Sequence, residues 1–185
     1  MDSYRVKIGD VERDLPLCRL NDELQIAAFV VIGDAELTEA CAKELLKVAP
    51  EYDYILTAEA KGIPIAHEMA RLTKAPLYMV ARKAPKLYMK EVFEVNVRSI
   101  TTEKEQKLYL DRADADMMNG KKVLIVDDVI STGESLAALE TLVREAGGII
   151  CGKAAVLAEG DAQDRKDIIY LEKLPIFDKN GTPIA

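Results

Sequence analysis

Residues 123–135 read VLIVDDVISTGES, and this stretch decides the fold. Val123, Leu124, Ile125 and Val126 are consecutive apolar residues, as expected of a central strand buried on both faces. Asp127 and Asp128 follow at once. Ser131, Thr132 and Gly133 then form a small polar loop, and Glu134 and Ser135 open a helix whose apolar residues Leu136, Leu139, Leu142 and Val143 recur at three- and four-residue spacing. Strand, loop and helix in that order make one unit of an open α/β sheet.

The chemistry of the unit follows from its residue types. A loop of hydroxyl and glycine residues at a helix N-terminus offers unpaired backbone N–H groups and the positive end of the helix dipole, so Ser131 to Ser135 is an expected phosphate seat. Asp127 and Asp128 would repel that phosphate, but they can accept hydrogen bonds from the two hydroxyls of a ribose. Acids and loop together predict a ribose 5-phosphate site at the carboxyl end of a parallel strand, where open α/β sheets hold their ligands. The competing reading is an ordinary capped turn with two solvated acids.

Residues 123–135 resemble the signature of the type I phosphoribosyltransferases: hydrophobic strand, two acids, short apolar spacer, Thr-Gly loop. The resemblance implies an open, mostly parallel Rossmann-like sheet of about five strands with flanking helices, a small hood from the N- and C-terminal segments, and a flexible β-ribbon loop. It also implies that Asp127 and Asp128 hold the ribose of phosphoribosyl pyrophosphate (PRPP) and, through it and water, Mg2+. Ser131, Thr132, Gly133, Glu134 and Ser135 would hold the 5-phosphate.

Length and charge narrow the alternatives. The 185 residues fit one domain with a substantial core, read as a hood region over 1–34, a core over 35–175 and a flexible loop over 84–108. A net charge of −7 argues against nucleic acid as a partner, since a surface neutralising its phosphates needs clustered Lys and Arg. Cys18, Cys41 and Cys151 form no CxxC pair, which fits reduced thiols. No apolar run reaches the roughly 18 residues of a membrane span, and MDSYRVKIGD lacks the apolar run of a signal peptide. The expected setting is the cytoplasm, with no membrane partner.

Taken in order, Leu24 to Ile32 reads as a strand or buried loop. Asp34 is a candidate N-cap for a helix over Ala35 to Val48, with Leu37, Cys41, Leu45 and Val48 on one face. Tyr52 to Ala58 reads as a strand, and Glu59, Ala60, Lys61 and Gly62 lead into a helix from Ile63 to Leu72, a second unit of the same kind. Gly62 permits close backbone approach to a ligand and Lys61 adds a cation. EAKG resembles the family's pyrophosphate loop, which assigns Ala60, Lys61 and Gly62 to that group; otherwise Lys61 is a solvated charge beside a turn. Leu77 to Ala81 is a third short strand. Arg82, Lys83 and Lys86 resemble the basic run from which adenine-type members contact the diphosphate, or form a solvated basic stripe. Segments around Val92 to Val97 and Lys107 to Leu110 alternate as the strands of a ribbon with a long connection between them. Asp111 to Asn119 reads as a linker with one short helical turn, Gly147 and Gly148 as a helix C-cap, Ile149 to Leu157 as a buried strand, and Ile168 to Leu174 as an edge strand followed by a tail.

Phosphoribosyl transfer passes through a cationic sugar, so positioning and charge carry the chemistry, with Mg2+ as the implied cofactor. His67, the one histidine, falls inside a helix among apolar neighbours and is read as structural. The acceptor is expected to be a purine base. Members that use 6-oxopurines commonly carry a lysine at the end of the strand after the signature helix, whereas Glu159 and Gly160 stand here, which favours adenine. Arg13 and Asp14 match the adenine hood's Arg-Asp pair only loosely, and Ile100 to Glu103 lacks that branch's Glu-Tyr-Gly run. Hypoxanthine, guanine or xanthine is the alternative acceptor. A non-catalytic PRPP sensor would need a nucleic-acid-binding element, for which the roughly 50 residues before the first core strand are few and acidic. Neither a Walker loop nor GxGxxG is present. A homodimer is implied by the resemblance.

Overall fold

The computed structural model describes residues 2–98 and 105–184. The first strands are β1 (Ser3–Ile8), β2 (Val11–Arg19) and β3 (Leu24–Ala27), followed by α1 (Ala35–Val48), β4 (Tyr54–Ala58), α2 (Gly62–Thr73) and β5 (Met79–Ala81). Then come β6 (Val92–Arg98), β7 (Glu105–Asp111), α3 (Arg112–Met118), β8 (Lys122–Ile130), α4 (Glu134–Glu145), β9 (Ile149–Glu159), a 3-10 turn over Gly160–Asp164, β10 (Ile169–Leu174) and β11 (Ile176–Asp178). Five strands in the order β10-β9-β8-β4-β5 form the core sheet, and all four of its pairings are parallel.

Alternation along β8 explains why the sheet carries helices on both faces. Leu124 and Val126 meet Leu37, Cys41 and Leu45 of α1 and Ile65 and Met69 of α2. Val123 and Ile125 meet Leu136, Leu139, Leu142 and Val143 of α4 on the other side. These side chains are almost wholly buried. Leu136, Leu139, Leu142 and Val143 each withdraw apolar area worth about 1.5–3 kcal/mol from water. Asp34 caps α1 by accepting from Leu37 N at 3.0 Å, as its position predicts. Val48, expected on the buried face, is about half exposed because it sits in the last turn, past the edge of the packed layer.

Three segments sharpen or alter the sequence reading. Residues 1–34 hold three antiparallel strands and β11 supplies a fourth by pairing with β3, giving the order β1-β2-β3-β11, so the N- and C-terminal segments join in one small sheet as the resemblance implies, and the expected tail is itself a strand. Phe177 of β11 is fully buried and stacks edge-on against Tyr4 at 5.4 Å, which anchors the chain's end to its beginning. The one helical turn expected in the linker before β8 extends into the seven-residue helix α3, capped by Asp111, which accepts from Ala113 N. The ribbon over 84–108 forms, but its pairing runs from Val92↔Asp111 to Arg98↔Glu105, so the connection between strands is only 99–104. Ile100, Thr101, Thr102 and Glu103 lie outside the described residues. Val95, Leu108 and Leu110 are buried against α4 and the core sheet, so the ribbon is packed along much of its length.

Candidate active site

Strand β8 carries the two acids near its carboxyl end and continues past them to Ile130, and both strand–loop–helix units open at the same edge of the sheet. A cavity of about 630 Å3 lies there, lined from the first unit by Ala58, Glu59, Ala60 and Lys61, from the second by Asp127, Asp128, Val129, Ser135 and Ala138, and from outside the sheet by Lys83, Lys107 and Leu108. A smaller cavity of about 110 Å3 adjoins it through Asp127, Val129 and Ser135, and its wall is the loop itself, including Ser131, Thr132, Gly133 and Glu134.

The two acids differ. Asp128 is 4% exposed and faces Lys61, whose Nζ lies 2.6 Å from Asp128 Oδ2. Asp127 is half-buried, and its Oδ1 accepts from the Asp128 backbone N–H at 2.9 Å. Burial first, and the neighbouring Asp128 charge second, push the Asp127 carboxyl up to about 7, against a smaller downward pull from the Asp128 N–H and Lys61. Lys61, about half exposed, also donates to the Phe29 carbonyl at 3.4 Å, which ties the segment after β3 to the site. It is therefore partnered, not a solvated charge.

Gly62 is required by close approach: a Cβ there would lie 2.1 Å from Thr57 Oγ1, 3.2 Å from Asp127 Oδ1 and 3.3 Å from the Val126 carbonyl. Gly133 is required by conformation. It takes φ +81° as the residue before α4, and a Cβ there would meet Arg165 Nη1 at 2.5 Å.

The basic run is not a solvated stripe either. Arg82 Nη2 lies 3.3 Å and Lys86 Nζ 3.5 Å from Glu59 Oε1, while Glu59 Oε2 accepts from Lys83 N at 2.9 Å. Of these three residues Lys83 lines the large cavity, and Arg82 and Lys86 stand behind Glu59. Arg13 and Asp14 are not brought to the site. Arg13 forms a two-pronged pair with Asp34 at 2.7 and 3.0 Å and reaches Glu36 at 2.7 Å, while Asp14 pairs with Arg5. On strand β2 successive side chains face opposite ways, so the two neighbours serve different partners. His67 stacks edge-on with Tyr78 at 5.8 Å, away from the cavity lining.

Sequence reasoning passed over Glu59, Arg165 and Lys107. Glu59 was visible as the first residue of EAKG. Arg165 had no local signal, since it comes from beyond β9 and packs on Gly133 while Asp167 holds its Nε and Nη2 at 2.9 and 2.7 Å. Lys107 depends on how the ribbon folds back, and pairs with Glu94 at 2.9 Å.

A family model described as the phosphoribosyl transferase domain matches residues 33–181. The chain belongs to that family. Within it, this phosphoribosyltransferase is 35% identical over 136 residues to a hypoxanthine/guanine phosphoribosyltransferase of Methanothermococcus okinawensis, covering 73% of this chain and 70% of that one. It is 31% identical over 170 residues to xanthine phosphoribosyltransferase 1 of Clostridium perfringens, covering 88% and 83%. Among solved structures, the adenine phosphoribosyltransferase of Thermoanaerobacter pseudethanolicus superposes with a TM-score of 0.65 at 25% identity, over 77% of this chain and 84% of that one. That of Rhodothermus marinus gives 0.67 at 23% identity, over 85% and 94%, a likeness of fold alone. No helix among the described residues is long and apolar enough to cross a membrane.

Proposed function

We propose that this phosphoribosyltransferase serves purine salvage, moving the 5-phosphoribosyl group of PRPP to adenine with release of AMP and pyrophosphate. The observation that carries the transfer itself is the continuity of two sites: Asp127 borders both a small hydroxyl-lined cavity and a larger one, which Asp128, the loop at 59–61 and Lys83 also line. That is the order of 5-phosphate, ribose and pyrophosphate along PRPP.

In this reading Ser131 to Ser135 bind the 5-phosphate at the N-terminus of α4, and Asp127 and Asp128 accept from the ribose hydroxyls. A nitrogen of the base attacks the sugar C1 while the bond from C1 to the pyrophosphate oxygen breaks. The electron pair leaves with pyrophosphate, and the base loses its N–H proton. The paired carboxylates favour the positive charge that develops on the sugar. Ala60, Lys61, Gly62 and Lys83, backed by Arg82 and Lys86, receive the pyrophosphate, so Lys61 exchanges its Asp128 partner for a phosphate oxygen. The donor set suits Mg2+: Asp127 and Asp128 line the cavity beside the proposed pyrophosphate loop, and Mg2+ takes one or two carboxylates plus substrate phosphates. Asp127 and Asp128 would hold it through substrate and water, and it would neutralise charge on the leaving group.

Adenine is supported by the carboxyl end of β9, where Glu159 and a buried Gly160 stand and no cation does; Lys153, earlier on that strand, is engaged by Glu140 and Asp167. The names of the sequence relatives favour a 6-oxopurine instead. Pyrophosphate release with PRPP, Mg2+ and each of adenine, hypoxanthine, guanine and xanthine decides between them. Release with adenine alone is expected. Release only with an oxopurine reassigns the acceptor, and tight PRPP binding without release from any base makes the chain a sensor. A homodimer is the assembly proposed, and light scattering showing a monomer would remove it.

A further inference from the structure

Glu59 stands where a carboxylate is least expected, in the wall of a cavity read as the pyrophosphate seat. It is not a stray charge. One of its oxygens takes the backbone N–H of Lys83 at 2.9 Å, and the other faces Arg82 Nη2 at 3.3 Å and Lys86 Nζ at 3.5 Å. Its own backbone N–H donates to the Ala81 carbonyl at 3.0 Å, so the side chain and main chain of one residue grip the whole of 81–86. Arg82 in turn exchanges two backbone hydrogen bonds with Tyr109 of the ribbon, at 2.8 and 2.9 Å. The Arg82 Nε is buried and has no hydrogen-bond partner among the described residues, so the Glu59 contact is the guanidinium's ion pair on this side.

Resting on the function proposed above, we infer that Glu59 is a positioning residue for the diphosphate: it gathers Arg82, Lys83 and Lys86 from beyond β5 and holds them against the pyrophosphate loop before substrate arrives. Three cations on a short irregular segment would otherwise repel one another and spread into solvent. Glu59 fixes Arg82 and Lys86 by their side chains and Lys83 by its backbone N–H, so the segment that carries the Lys83 ammonium to the cavity is already ordered when an anion binds. Ribose and 5-phosphate binding do not pass through this residue, since their seat lies on the second unit.

Calorimetry with Glu59→Gln separates these statements. Inorganic pyrophosphate and PRPP should each bind about tenfold more weakly, the size of one lost charge-assisted contact, while ribose 5-phosphate binds as it does to the wild type. Lys86→Met should weaken pyrophosphate by a few-fold alone and by less in the Glu59→Gln background, because the two act through one contact. Unchanged pyrophosphate binding in Glu59→Gln, equal losses for pyrophosphate and ribose 5-phosphate, or additive losses in the double variant would each overturn the inference. Should Glu59→Gln fail to fold, Lys86→Met still decides it: weakened pyrophosphate with unchanged ribose 5-phosphate supports the clamp, and any other pattern sinks it. Wild-type protein that binds neither PRPP nor pyrophosphate removes the proposed function itself, and this inference with it.

Discussion

The two strand–loop–helix units, β4 to α2 and β8 to α4, share a plan and differ in what shapes their loops. The first is wired by charge: Lys61 joins Asp128, and Glu59 joins Lys83, Arg82 and Lys86. The second is shaped by backbone, with Gly133 in the left-handed region and its carbonyl accepting from Ala137 N at 2.8 Å. A phosphate carried at a constant place suits a loop formed by peptide groups, which do not rearrange. A leaving group that must depart suits side chains that can exchange partners. The acids of β8 stand between the two loops.

Removing the acids should have the largest effect. Asp127→Asn with Asp128→Asn should cost transfer on the order of a thousandfold or more while circular dichroism stays native, since the acids face the cavity at the strand's end. Retained activity would break the comparison at its centre. Next, Gly62→Ala places a methyl against Thr57 Oγ1 and should destabilise by about 1–3 kcal/mol in denaturant melts, weakening pyrophosphate binding with it. Thr57→Ala, which removes a buried hydroxyl with no hydrogen-bond partner among the described residues, should restore part of the loss. Gly133→Ala is a strain of conformation, worth about 1–2 kcal/mol, and no change at Arg165 should relieve it fully. Ribose 5-phosphate binding should suffer there and not at Gly62.

The smallest effect is on pH. The Asp127 carboxyl is raised to about 7 in the folded chain, so it is largely protonated below that value and charged above it. A carboxylate that accepts ribose hydroxyls and favours a cationic sugar acts in its charged form. kcat/KM should therefore climb through pH 7, and Asp127→Asn should flatten the climb. The stability sign is opposite. A raised folded value favours the protonated native state, so the contribution is whole below the usual carboxylate range and lost as pH rises through 7. The melting temperature of wild type should fall relative to Asp127→Asn between pH 5 and 8; parallel curves would remove the assignment.

Much of the molecule was legible because its signals are local. The apolar run before Asp127, the hydroxyl loop, the cap at Asp34 and the three- and four-residue spacing of α1, α2 and α4 each concern neighbours in the chain, and the elements formed where those signals stood. The ribbon strands were legible as alternation, but not that Leu108 and Leu110 would be buried under α4. The resemblance implied that the two terminal segments join, but not that 176–178 would pair with β3, because strand pairing across the length of the chain leaves no trace in either partner's periodicity.

Sequence by itself determined the α/β class, the position of the acids and the place of both strand–helix loops, since strand burial, helix opening and glycine demand are written in short spans. Tertiary structure alone decided which charges meet. Arg13 went to the cap of α1, Lys61 to Asp128, and the basic run to Glu59, because ion pairing depends on distance in space and desolvation, and neither can be read from order along the chain.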